Sequence, residues 1–207
     1  MRQSWLNRRR EQFIADRLET YRLSPGASVL EIGSGTGLLL RGLSRRFPHL
    51  RFIGLEPIPA YVDFARRQEP SFDIEYLQGA AEDLERLWSR PVNAILSNDV
   101  LHHVRSLDAV TANMRKIAAP GCRWLSIEPN WKNPYTLIKQ SLMTDERNFW
   151  PGEFRKKAIA AGWQCEDCKY LFLVPPFIAT PPPALITAEQ WLEGIPFLAG
   201  GVSIELF

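Results

Sequence analysis

The chain has 207 residues, 45% of them hydrophobic, a formal net charge of +2 and three cysteines. That length supports one α/β domain with a substantial core, and so small a charge selects neither nucleic acid nor a membrane surface as partner. Three cysteines make no secreted disulfide framework, which points to a reducing cytoplasmic setting; no run approaches the ~20 apolar residues of a membrane span, and no apolar stretch follows the basic N-terminus as in a signal peptide.

Residues 1–23 read as an amphipathic helix, because Phe13, Ile14, Leu18 and Tyr21 recur at helical spacing. It would pack over a sheet or over a ligand mouth. Its run Arg8-Arg9-Arg10 would alternatively meet an acidic or lipid-linked substrate. Ser24-Pro25-Gly26 breaks the helix. Val29, Leu30 and Ile32 then form a buried strand that runs into Gly33-Ser34-Gly35-Thr36-Gly37 and a second helix. The glycines permit a sharp turn close to a ligand, and the helix behind them aims its open N–H groups and positive dipole end at that turn. The dinucleotide fingerprint G-x-G-x-x-G would need a glycine where Leu38 stands. Glu31, two residues before the turn, would repel a pyrophosphate and suits a ligand with a cationic amino group.

The face Leu39, Leu43 and Phe47 continues this helix to Pro48, and residues 51–56 form the next strand. Strand, helix and strand in about thirty residues imply a parallel βαβ unit. Its ligand would lie beyond the carboxyl ends of the strands, where Glu56-Pro57 sits and Glu56 can accept from ribose hydroxyls. A crossover helix follows over residues 58–68, with Tyr61, Phe64 and Ala65 inward, then a short strand over 74–77 and the loop 78–84. Residues 91–98 form the fourth strand. Ser106 caps a helix with Leu107, Val110, Met114 and Ile117 on one face, which Pro120-Gly121 ends. The fifth strand covers 122–127 and delivers Glu128-Pro129-Asn130-Trp131. Helices are expected at 137–143 and 153–161, and strands at 170–174 and 202–206. Residues 131–150 and 175–200 read as substrate-side insertions or a lid.

The stretch Glu31-Ile32-Gly33-Ser34-Gly35-Thr36-Gly37 resembles motif I of class I methyltransferases that use S-adenosylmethionine (SAM). The resemblance implies a single α/β domain over 1–207, with a Rossmann-like, seven-stranded, mostly parallel sheet, helices on both faces and an antiparallel seventh strand beside the fifth. It implies SAM as cofactor, with Glu31 near the methionine end and Gly33, Ser34, Gly35 and Gly37 wrapping it. Glu56 and Pro57 would lie at the ribose, Ala81, Glu82 and Asp83 along adenine, and Ser97 and Asn98 at the end of strand four. Ala80 departs from the family's usual Asp, which leaves the adenine side-chain partner open.

Asp99-Val100-Leu101-His102-His103-Val104 resembles the same segment in the quinone-methylating (type 11) group, and is unlike the Asn-Pro-Pro-Tyr of enzymes that methylate amino groups of bases. The implied reaction moves a methyl group to a small-molecule acceptor at oxygen, with carbon next. His102 or His103 would serve as general base if the acceptor is neutral, or would simply pack. Asp99, Glu128 and Asn130 would orient an acceptor hydroxyl or cap backbone groups. Cys165-Glu166-Asp167-Cys168 precedes a strand and has no complement of further ligands, so no metal is expected. Trp131, Tyr135, Phe149, Trp150, Phe177 and Trp191 read as core or as a lid for a hydrophobic acceptor, or as a homodimer contact. The alternatives are a SAM-binding module without turnover and a nicotinamide-dependent oxidoreductase.

Overall fold

The computed structural model of the protein describes residues 4–68, 73–141, 149–172, 174, 178, 180–192 and 194–207. Its strands are β1 (Ser28–Ile32), β2 (Arg51–Glu56), β3 (Ile74–Gln78), β4 (Val92–Asn98), β5 (Ala118–Pro129), β6 (Cys165–Leu171) and β7 (Gly201–Leu206). Its helices are α1 (Trp5–Tyr21), α2 (Leu38–Arg46), α3 (Pro59–Arg67), α4 (Leu84–Leu87), α5 (Leu107–Ile117), α6 (Pro134–Ser141), α7 (Pro151–Ala160) and α8 (Pro183–Leu192), with a 3-10 turn at Ala81–Asp83 before α4.

The strands form one sheet in the order β3-β2-β1-β4-β5-β7-β6. The first five run parallel; β7 lies antiparallel between β5 and β6. The sheet is therefore the α/β, Rossmann-like, seven-stranded arrangement expected, and β1 to β4 is the point where strand order reverses, where ligands of open α/β sheets bind.

Side chains alternate across the pleat and feed two cores. Val29, Phe52, Ala94, Leu96, Leu125 and Ile127 pack with α1, α2 and α3. Leu30, Ile32, Leu55, Ile95, Trp124, Val202 and Ile204 pack with α5 and α7. On the second face Trp124 makes edge contacts with Phe154 of α7 and with Trp163, and its indole Nε1–H donates to Ser97 Oγ at 3.0 Å. Ser4 caps α1 by accepting from Asn7 N, and Ser106 caps α5 by accepting from Ala109 N, as N-cap hydroxyls do.

Several elements differ from the sequence expectation. On α3 the buried residues are Val62 and Ala65, whereas Tyr61 and Phe64 are exposed; a helix turns about 100° per residue, so Val62 and Ala65 form the stripe and their apolar neighbours flank it. Pro120-Gly121 lies inside β5, which takes over as soon as α5 ends at Ile117. Cys165 and Cys168 open β6 rather than preceding it, and among the described residues no cluster of three or more metal-ligating side chains occurs. The proline-rich stretch carries an unexpected helix, α8, which starts on Pro183, a residue whose fixed φ suits a first helical position. α6 begins three residues before its expected start; Met143 and Phe177 lie outside the described residues. No described helix is long and apolar enough to cross a membrane.

Phe154→Ala should cost about 3–5 kcal/mol, because it empties a fully buried ring site against Trp124 and Phe149. Urea unfolding followed by Trp fluorescence measures this, and a loss below about 1 kcal/mol would show that α7 does not seal that face.

Candidate functional site

The carboxyl ends of β1 and β4 meet at a cavity of about 210 Å³ lined by Glu31, Gly33, Ser34, Gly35, Asn98 and, from α1, Asn7, Arg10 and Glu11. The pleat decides which side chains enter it. Glu31 on β1 and Asn98 on β4 share the face of Val29 and Leu96, so both point into the cavity. Ser97 takes the opposite face and is held by Trp124, so the two-residue period keeps its side chain out of this cavity.

The glycine turn is tied down by backbone bonds. Gly33 N and Ser34 N both donate to Leu55 O at 2.8 and 3.1 Å, and Gly37 N donates to Ser34 O at 2.9 Å. Glu56 braces it: one carboxylate oxygen accepts from Gly35 N at 2.9 Å and the other from Ile58 N at 3.0 Å. A carboxylate has about four acceptor positions, so Glu56 retains capacity for hydroxyl donors.

Two of the glycines have different reasons to be there. At Gly35 (φ +53°) an added Cβ would meet nothing within 4 Å, and the position lines the cavity. At Gly37 (φ +73°) a Cβ would meet the Tyr76 hydroxyl at 2.1 Å. Gly37 does not line the cavity; it lets β3 pack close to the start of α2.

The cavity is unbalanced electrostatically. Glu31 Oε2, Ser34 Oγ, Asn98 Oδ1 and Arg10 Nε are all buried without a hydrogen-bond partner among the described residues. Such groups cost roughly 1–3 kcal/mol each, more when charged, and four at one site mark a place built for a ligand. Burial, and secondarily the charge of Glu56, push the Glu31 carboxyl up to about 8. A cation beside it would relieve that burial cost; an anion would deepen it. Across the cavity Arg10 Nη1 donates to Asp99 Oδ2 at 3.1 Å, and Asp99 holds a left-handed backbone (φ +61°) at the end of β4.

The remaining expected residues are placed elsewhere. Pro57 is exposed. In the loop after β3, Ala81 is buried. The Glu82 carboxylate accepts from Arg105 N at 2.6 Å and Ser106 N at 3.3 Å, an acid at the N-terminus of α5 where the helix dipole favours it. Asp83 faces solvent near the Arg105 guanidinium. Neither carboxylate lies in the cavity.

His102 is buried and its Nδ1 sits 2.8 Å from Glu128 Oε2. A carboxylate only accepts, so Nδ1 carries the proton and Nε2 is the ring's basic nitrogen. Glu128, fully buried, also accepts from Val100 N and Leu101 N at 3.2 and 2.9 Å. His102 faces a second cavity of about 180 Å³ with Arg105, Leu107, Phe149 and Lys157, on the α5–α7 side of the sheet. His103 is exposed and stacks its ring 4.0 Å from that of His102. Asn130 caps backbone groups: its amide donates to Pro196 O and Ala199 O at 2.6 and 2.7 Å.

Residues 30–124 match a family model described as a methyltransferase domain. Over this stretch the resemblance to class I SAM-dependent methyltransferases is borne out. It is 33% identical over 98 residues to a ubiquinone biosynthesis O-methyltransferase from Xylella fastidiosa, a match over 47% of this chain and 40% of that protein. It is 34% identical over 108 residues to a ribosomal RNA small subunit methyltransferase G from Mycobacterium leprae, covering 51% and 43%. The chain thus matches about two fifths of the length of these curated relatives. The fold matches geranyl diphosphate C-methyltransferase from Streptomyces coelicolor, solved with Mg2+, geranyl diphosphate and S-adenosyl-L-homocysteine, at TM-score 0.71 and 16% identity over 96% of this chain and 79% of that one.

The methyltransferase cavity fits the cofactor named by its family. An unpartnered carboxylate and an unpartnered amide oxygen suit an ammonium; an arginine and a hydroxyl suit a carboxylate; Gly35 leaves room for the backbone of the ligand. Sequence reasoning missed Asn7 and Arg10, although Asn7, Arg10, Ile14 and Leu18 fall on one helical face and the last two are buried. It also named Glu128 without its partner, since no sequence spacing reveals a contact between residues 26 positions apart.

Gly37→Ala should lower the thermal midpoint more than Gly35→Ala. Both force alanine into a left-handed backbone at about 1–2 kcal/mol, but only the first strikes Tyr76. Equal shifts in a scanning fluorimetry comparison would mean that the Tyr76 contact is not limiting.

Proposed function

We propose that this chain, as one methyltransferase domain, binds SAM in the cavity between α1 and the glycine turn and transfers its methyl group to a small-molecule acceptor, at oxygen. The observation that carries the cofactor assignment is Glu31: a buried carboxylate with an unpartnered oxygen, in a cavity that also holds the unpartnered Arg10 Nε. In this reading Glu31 and Asn98 take the ammonium, Arg10 and Ser34 the carboxylate, and Glu56 the ribose hydroxyls. Bound SAM supplies an electrophilic methyl on a sulfonium. The protein's part is alignment and exclusion of water.

A small acceptor is supported by the charges of α1. Arg9 and Arg10 are drawn into ion pairs with Glu189 and Asp99, so the basic run of the sequence does not present a continuous face for phosphates. Oxygen as the acceptor atom is supported by the His102–Glu128 pair, in which the acid sets the ring tautomer so that Nε2 can receive a hydroxyl proton. The name of the Xylella relative agrees with an oxygen acceptor; that of the Mycobacterium relative names ribosomal RNA. Incubating the protein with cell extract and methyl-labelled SAM, then separating RNA from small metabolites, distinguishes these. Label in the metabolite fraction supports the proposal, and label in RNA alone overturns the small-acceptor reading.

Calorimetric titration should show SAM binding and no NAD binding, with SAM binding lost in Gly35→Val. Below pH 8 the Glu31 carboxyl is largely protonated, and a cationic ligand favours its ionised form, so binding releases a proton. Affinity should therefore rise from pH 6 to pH 8 and level off above, with the slope abolished in Glu31→Gln. A flat profile in the parent protein would remove Glu31 from the ammonium site.

Once an acceptor is in hand, His102→Ala should lower kcat by about 10²-fold or more while SAM affinity stays within error. Glu128→Gln should lower kcat and shift its pH dependence. If kcat is retained in both, the pair only anchors the loop after β4.

A further inference from the structure

We propose that α1 and α8 are clasped so that filling the cofactor cavity sets the position of α8; the inference rests on the SAM reading above. Adjacent residues of α1 reach in two directions. Arg10 lines the cofactor cavity. Arg9 Nε donates to Glu189 Oε2 on α8 at 3.1 Å, and the Glu189 side chain is only 2% exposed. The other oxygen of Glu189 accepts from Val174 N at 3.3 Å. The acid is thus enclosed between α8 and the chain that leaves β6, with an arginine of α1 as its counter-charge.

A second contact runs parallel to the first. Phe13 of α1 packs edge-on against Phe172, ring centroids 6.2 Å apart. Phe172 holds a left-handed backbone (φ +64°), which a bulky side chain adopts only when its surroundings fix it. Its carbonyl accepts from Gly200 N at 2.8 Å. Beyond α8 the chain is bound to the end of β5: Asn133 Nδ2 donates to Leu198 O at 2.8 Å, and Asn130 holds Pro196 O and Ala199 O. The residues that follow α8 therefore border the carboxyl end of β5, beside the strand ends where, on the SAM reading, an acceptor would enter.

These contacts make one rigid path from the cofactor to the acceptor side. A ligand that takes the Arg10 guanidinium fixes the rotation of α1. Arg9, one residue away and about 100° around the helix, then holds Glu189 and α8 in a single place. Loss of the ligand releases both. The cofactor binds first in this scheme, and the acceptor meets a wall already formed.

Hydrogen–deuterium exchange of the full chain, with and without S-adenosylhomocysteine, tests the clasp. In the parent protein the ligand should slow exchange in α1 and α8 together, by about threefold or more in each. In Arg9→Met it should still bind, within about threefold of the parent affinity, and still protect α1, but leave α8 unprotected. Arg9→Lys should restore part of the α8 protection, and Glu189→Gln should repeat the loss while keeping the acceptor for Val174 N. Protection of α1 with no change in α8 of the parent, or α8 protection that survives Arg9→Met and Glu189→Gln, would overturn the clasp alone. Failure of the parent to bind the ligand in calorimetry would overturn the cofactor reading and the clasp with it.

Discussion

The arrangement on which the site depends is a buried carboxyl, Glu31, with one oxygen that no described residue satisfies. Glu31 stands in a parallel sheet, flanked by β2 and β4, with one oxygen unpartnered and a second carboxylate, Glu56, near enough to raise its proton affinity. Burying an unpaired charge is among the most unfavourable things a fold can do. The fold tolerates it because the carboxyl stays largely protonated until a cation arrives. The same local instability thus selects the ligand. A cation there relieves the cost of ionising the buried Glu31 carboxyl, and an anionic phosphate would deepen it. Only a ligand with positive charge at that end, and a negative group within reach of Arg10, satisfies all four orphaned atoms.

The features legible in the sequence were those written in local pattern. The glycine turn, the βαβ periodicity, the Ser106 cap and the apolar terminal strand each depend on residues within a few positions of one another. From them followed the individual strands and the parallel βαβ unit, whereas the count of seven, the antiparallel last strand and the place of Glu31 beside a cofactor came from the resemblance to the methyltransferases. What the sequence hid was direction and distance. Ser97 and Asn98 are neighbours with equal claim to a strand end, yet one bonds to Trp124 in the core and the other faces the cavity. Strand alternation within β4 decides that, with Asn98 on the face of Ala94 and Leu96, and which face meets the cavity is set by the pairing with β1. Glu82 was an apt cofactor residue by position, but the N-terminus of α5, 23 residues later in the chain, captured its carboxylate. Tyr61 and Phe64 had the right hydrophobicity and the wrong azimuth. α8 was hidden because a proline cluster reads as a loop when it can also open a helix.

The pleat also separates two cavities that the proposed reaction would have to join. Side chains of β1 and β4 on the α1 face build the first cavity, while Glu128 lies on the α5–α7 face, where its partner His102 lines the second. The loop after β4 is the hinge between them: Asp99 pairs with Arg10 on one side, and three residues later His102 pairs with Glu128 on the other. Glu128 takes two backbone amides of that loop as well as the imidazole. An acid that fixed only the tautomer would need one of these contacts. One that holds all three sets where the loop stands relative to β4, and so, on the proposed reading, would set how His102 is oriented toward a bound acceptor. In-line transfer is sensitive to about an ångström of misplacement. The burial of Glu128 therefore serves the position of that short loop as much as the tautomer of His102, and the loop is held from both faces of the sheet, by Arg10 on one and by Glu128 on the other.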